Sequence, residues 1–242
     1  MEVIFMRIKN VNLEHFKNEP YQKYRDYLYN LLEEKGSGIV DTLLKNPSAS
    51  NLSETSWQHI ERRHVDMSEK DMVDLTLKTG QVQGIFATAY DCEPMDHEDI
   101  KDTLYTALWD LAEKIAQEFV DYAVPFEHPF IYNVGSFIGY GINEKFNLVR
   151  ADSIDIIIKL SDDPFSETGI EIATAYPSIY DTGDIIKNKD ALKKEYGLHE
   201  NDMIRYKNRQ KNRNSIKHVK ELNKGERLGN IKQTFMENIM RS

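Results

Sequence analysis

At 242 residues, 40% hydrophobic and 29% charged, the chain has enough apolar sequence for one large domain, or for an ordinary domain with extensions. No run of about 18 apolar residues occurs, which excludes a transmembrane helix, and a single cysteine, Cys92, excludes an intrachain disulfide and a cysteine-based zinc site. A net charge of -9 argues against a general polyanion binder, but residues 185–242 carry 15 Lys/Arg against 7 Asp/Glu, a net of +8 that leaves -17 for the rest.

The first residues, MEVIFMRIKNVNLEHF, have an apolar start without a small-residue cleavage site, so a cytoplasmic product is expected. Residues 1–11 alternate weakly and suggest a short strand or an ordered arm. From about Asn12 the period is helical: Leu13, Phe16, Tyr21, Tyr24, Leu28, Leu31 and Leu32 recur at threes and fours, and Pro20 predicts two short helices or a kinked one. Gly36 and Gly38 supply the left-handed geometry that ends a helix. Residues 46–56 are turn formers, where the main domain boundary is expected, and Ser53 or Thr55 caps the next helix.

That helix holds WQHIERRH, Trp57 to His64. On an α-helix His59 and Arg63 share a face, with Arg62 on the adjoining row, while His64 is turned by roughly 140° from His59. Two groups that titrate near neutrality beside two fixed positive charges suit acid/base chemistry on a phosphodiester. The alternative is a solvated helix face with Trp57 and Ile60 turned to the core. Ser68, with Asp71 three residues on, starts a further capped helix that Gly80 breaks. Residues 83–90, QGIFATAY, are a strand or a buried connector.

His97 to Tyr122 is the longest periodic segment, with Ile100, Leu104, Leu108, Leu111, Ile115, Phe119 and Val120 on one stripe. From Phe130 the period becomes two: FIYNVGSFIGYGI (130–142), SIDIIIKL (Ser153 to Leu160) and GIEIATAY (Gly169 to Tyr176) read as antiparallel strands. Strands that follow helices make the fold class α+β, with N-terminal helices packed on a small antiparallel β-sheet. Beyond Pro177 lies a basic helical extension. The scattered histidines and the acidic run at Asp96, Glu98 and Asp99 have no metal-ligand spacing, so neither a metal nor a cofactor is expected.

Three motifs stand in order: His59, Ile60, Arg63 and His64; Val134, Gly135, Ile138, Gly139, Gly141 and Ile142; and Ile172, Thr174, Ala175, Tyr176 and Pro177. Together they resemble the barnase, EndoU, colicin and RelE-like superfamily of metal-independent ribonucleases, in its phage and contact-dependent toxin branches. The likeness covers about half the chain. It implies a helical N-terminal extension (1–50), a nuclease domain (51–180) and a basic helical C-terminal extension (181–242). It further implies a toxin that cleaves structured RNA, tRNA first, through attack of the 2'-hydroxyl to leave 2',3'-cyclic phosphate and 5'-hydroxyl ends, with a cognate immunity or antitoxin protein as partner and no membrane. His59 and His64 would move the protons, Arg63 would stabilise the phosphorane, and Thr174 and Tyr176, on one face of a strand, would donate to the phosphate. Arg62, Ser136, Lys159, Arg205, Lys207 and Arg209 are the candidate substrate contacts. The family's more widely separated histidines leave open that one of this pair is structural. The rival expectation is a non-catalytic regulator that binds RNA or a protein through its basic tail.

Overall fold

The computed structural model describes residues 19–45, 54–90, 94–121, 128–163, 166–181, 183–216 and 225–241, and the fold is α+β. The expected N-terminal strand or arm, the helical turn before Glu19, most of the loop after Lys45 and the alternative cap Ser53 lie outside the described residues. Helix α1 (Glu19–Lys35) carries Pro20 in its first turn, where the missing N–H costs nothing. It ends at Gly36, whose φ of 55° lets its N–H reach Leu32 O at 3.0 Å. Gly38 does not share that role: it opens α2 (Gly38–Leu44). Thr55 caps α3 (Ser56–Ile60) with a full capping box, its hydroxyl accepting from Gln58 N–H while the Gln58 side chain accepts from Thr55 N–H. Ser68 caps α4 (Glu69–Thr79), and Gly80, at φ 70°, closes it. Thr55→Ala should cost about 1 kcal/mol, read as a lower denaturation midpoint; an unchanged midpoint would show that the cap carries no stability.

Strand β1 (Gln83–Phe86) precedes the long α5 (His97–Asp121), and six strands follow: β2 (Phe130–Asn133), β3 (Gly139–Ile142), β4 (Leu148–Ala151), β5 (Ser153–Leu160), β6 (Ile170–Pro177) and β7 (Ile185–Lys187). They form two antiparallel sheets, ordered β1-β3-β4-β7 and β2-β5-β6. The single period-two segment expected from Phe130 is thus two strands in different sheets. Phe130 pairs with Ile156 and Asn133 with Ser153, but Gly139 pairs with Ala151, so residues 134–138 lie opposite Asp152 alone. The Asp152 carbonyl accepts from both Val134 N–H (2.9 Å) and Gly135 N–H (3.2 Å), and Gly135 takes φ 77°. Surplus residues on one strand bend the ribbon, and one long hairpin feeds both sheets.

The larger core joins α1, α2 and α5 to β2, β5 and β6. At its centre the ring of Tyr24 stacks on Phe119 at 4.1 Å, and its hydroxyl donates to Thr168 O at 2.8 Å. Helix α8 (Gly225–Arg241) adds Phe235 and Ile239 to this core. The second core packs α4 and the larger sheet against α6 (Lys189–Glu195) and α7 (Glu200–Ile216) through Leu192, Met203 and Tyr206. The described parts of both flanking segments thus contribute residues to the cores. Among the described residues no helix is long and apolar enough to cross a membrane.

Candidate active site

Helix α3 does not continue as an α-helix. Glu61–Val65 form a π turn, in which Asp66 N–H reaches back five residues to Glu61 O at 2.8 Å. Widening the turn changes which side chains share a face: residues five apart diverge on an α-helix and converge on a π turn. The rings of His59 and His64 accordingly lie 5.8 Å apart, edge to face at 66°. The α-helical spacing expected between them is corrected on this point, because the backbone hydrogen bonds shift from four residues to five.

Each imidazole is held by its Nδ1. His64 Nδ1–H donates to the Gly84 carbonyl at 2.8 Å, and an acceptor of that kind fixes the proton on Nδ1 and leaves Nε2 basic. Burial pushes the His64 pKa down to about 4, against the Gly84 bond that favours the cation. His59 Nδ1–H faces Glu54 Oε1 at 3.3 Å. Burial lowers its pKa as well, with the Glu54 carboxylate pulling the other way.

The late strand comes to the same place. Tyr176 sets its ring 5.3 Å from that of His64, and Thr174 lies two residues earlier on the same face of β6. Arg63 Nε and Thr174 Oγ1 are both buried without a hydrogen-bond partner among the described residues. Leaving such groups unmet costs about 1–3 kcal/mol each, and a polar ligand between them would recover it.

These five residues line one cleft of about 1030 Å³, whose far wall is α7, with Lys207, Gln210 and Lys211. Glycines set the walls this close. A Cβ on Gly80 would stand 2.9 Å from Arg209 Cβ and from Gln210 N, so α7 can lie directly on the end of α4. A Cβ on Gly84 would stand 2.7 Å from Pro177 O, so β6 can pass close over β1, next to the carbonyl that holds His64.

The remaining residues expected to contact substrate are placed elsewhere, with the exception of Lys207. Arg62 is exposed and forms a two-point pair with Glu54 (2.8 and 3.1 Å), which fixes the carboxylate that holds His59. Lys159 is paired with the buried Glu171 at 2.8 Å. Ser136 is exposed in the turn between β2 and β3 and does not line the cleft. Arg205 and Arg209 on α7 do not line the cleft, and the Arg209 guanidinium donates to Leu77 O. Sequence reasoning missed the orienting role of Glu54 and missed Asp155 and Gln210 in the wall. Asp155 had a legible signal: with Ile157 and Lys159 it occupies the parity of β5 opposite to the core positions Ile154, Ile156 and Ile158.

Among the described residues no group of three or more His, Cys, Asp or Glu is placed to share a metal ion. Compared with family models, curated proteins and solved structures, the chain has no match in any of the three.

Proposed function

We propose that this cleft is the active site of an endoribonuclease toxin that acts in the cytoplasm on structured RNA, with tRNA the first candidate. The observation that carries the reading is the pair of imidazoles, each held through Nδ1, in one cleft with Arg63 and Thr174. His64, neutral above about pH 4, takes the proton of the 2'-hydroxyl as that oxygen attacks phosphorus. His59, whose pKa burial lowers while the Glu54 carboxylate pulls it back up, gives a proton to the 5'-oxygen as the P–O5' bond breaks. One proton enters the protein and one leaves it, and the products are a 2',3'-cyclic phosphate and a 5'-hydroxyl. Arg63, Thr174 and Tyr176 stabilise the charge that develops on the phosphorane oxygens. Lys207 on α7 meets the RNA backbone from the opposite wall, which is how a chain of net charge -9 can hold a polyanion locally.

The test is to incubate purified protein with total RNA and with isolated tRNA and to map the ends formed. Cyclic phosphates that persist in the presence of a chelator support the reading, and intact RNA of every class would favour a non-catalytic binding protein. The pH profile adds a second readout. The acid must be protonated and the base neutral, so kcat/KM should fall below about pH 4 and again as pH rises through the depressed pKa of the pair. The maximum is expected on the acid side of 6.5, and the profile of kcat should sit higher because a bound phosphodiester favours both imidazolium forms. A rate that climbs steadily to pH 8 would remove this assignment of acid and base.

A further inference from the structure

The cleft wall holds a carboxylate that the proposed proton transfers do not use. Asp155 on β5 is the register partner of Tyr176 on β6 and lines the cleft beside it. Ser178 O–H donates to Asp155 Oδ1 at 2.5 Å, which holds the side chain in one orientation. Among the described residues no ion pair involves Asp155, although Arg63 and Lys207 line the same cleft. Ile157, Ile179 and Tyr180 line the same cleft. Tyr180 is 40% exposed.

A carboxylate in a site for a polyanion repels phosphate and must face a donor. The N–H donors that RNA offers are on its base edges, and bases splayed from a strand are held by stacking on aromatic rings. The geometry points to a nucleobase subsite in this part of the cleft, in which one base of the RNA stacks on Tyr180 and presents an amino group to Asp155. Adenine, cytosine and guanine carry such a group. Uracil instead offers a lone N–H between two carbonyl oxygens, which face a carboxylate with like partial charge. Asp155 is thus a specificity-determining residue of the cleft, and the inference rests on reading that cleft as an RNA site.

The experiment separates binding from cleavage by using single-stranded 2'-O-methyl oligonucleotides of each base, which have no hydroxyl to attack phosphorus. Affinities of the full-length protein are measured by fluorescence anisotropy. The wild type should bind at least one of the three amino-bearing oligomers about tenfold tighter than the uridine oligomer, the scale of one good base contact. Asp155→Asn, of the same shape, should bring that ratio within about threefold, and Tyr180→Leu should weaken every base by about fivefold while leaving the ratio in place. Ser178→Ala, which keeps the charge and frees its orientation, should narrow the ratio part of the way, and this second variant decides the matter if Asp155→Asn does not fold. Equal affinities of the wild type for all four oligomers, or an unchanged ratio in the folded variants, overturns the proposal. Base-selective binding by a protein that cleaves no RNA would leave the subsite standing and remove the nuclease reading alone.

Discussion

His64→Asn is expected to lower RNA cleavage by about 10³-fold, the usual scale for removing a general base. The asparagine amide nitrogen stands where Nδ1 stood and can still donate to Gly84 O, so the variant should melt near the wild type. His64→Ala removes the same base and also strands a buried carbonyl, which adds a stability cost of about 1–3 kcal/mol. Comparing the two separates chemistry from folding. His59→Ala should lose about 10²- to 10³-fold in rate with little change in stability, because Glu54 keeps its pair with Arg62. Full activity in a folded His64→Asn variant would take the imidazole out of the mechanism, and full activity in both variants would discard the site.

Gly141→Ala should be among the most damaging single-methyl substitutions at the described glycines. Its Cβ would stand 2.1 Å from Gln83 O, 2.7 Å from Gly84 Cα and 2.7 Å from Ile179 Cδ1. Two of those atoms are backbone of the paired strand β1, so no rotamer change relieves the clash and the β1–β3 pairing has to open. A loss of about 4 kcal/mol or more is expected, which in a domain of this size lowers the melting temperature by roughly 8–16 °C. Activity should fall further than stability alone explains, because Gly84, whose carbonyl holds His64, pairs with Gly141. Gly38→Ala is the control: no atom lies within 4 Å of its Cβ position and the residue is helical, so the substitution should be neutral or stabilise by up to about 1 kcal/mol. Equal melting temperatures for the two variants would refute the close-approach argument.

The parts of the fold that were legible are those where local chemistry decides. The stripe of Ile100, Leu104, Leu108, Ile115 and Phe119 became the buried face of α5, Ser153–Leu160 became β5 within the expected bounds, and the caps at Thr55 and Ser68 formed. In each, a period or a cap is satisfied by neighbours in the chain. Strands β4 and β7 were not read, because Leu148–Ala151 and Ile185–Lys187 are too short to show a period and exist through their partners. The split of residues 130–142 between two sheets was hidden for a related reason: alternation continues through a bulge, and the surplus residues show only against the opposing strand. His59, Arg63 and His64 of the first motif came together in the cleft with Thr174 and Tyr176 of the third, whereas the glycine motif does not line it; the basic positions of the tail also divided. Lys207 lines the cleft and Arg205 and Arg209 do not.

Taken alone, the amino-acid sequence determined the α+β class, the helix that carries His59 and His64, the strand that carries Thr174 and Tyr176, and the concentration of positive charge at the C-terminal end. These follow from side-chain period, capping chemistry and composition, which act over a few residues. The tertiary structure decided the rest: the π turn that sets two imidazoles face to edge, the glycine contacts that bring β6 and α7 against them, the pairing that draws Arg62 away to Glu54, and the place of Asp155 in the wall. Each depends on contacts between residues far apart in the chain, and the energy of such contacts is set by packing that no local pattern records.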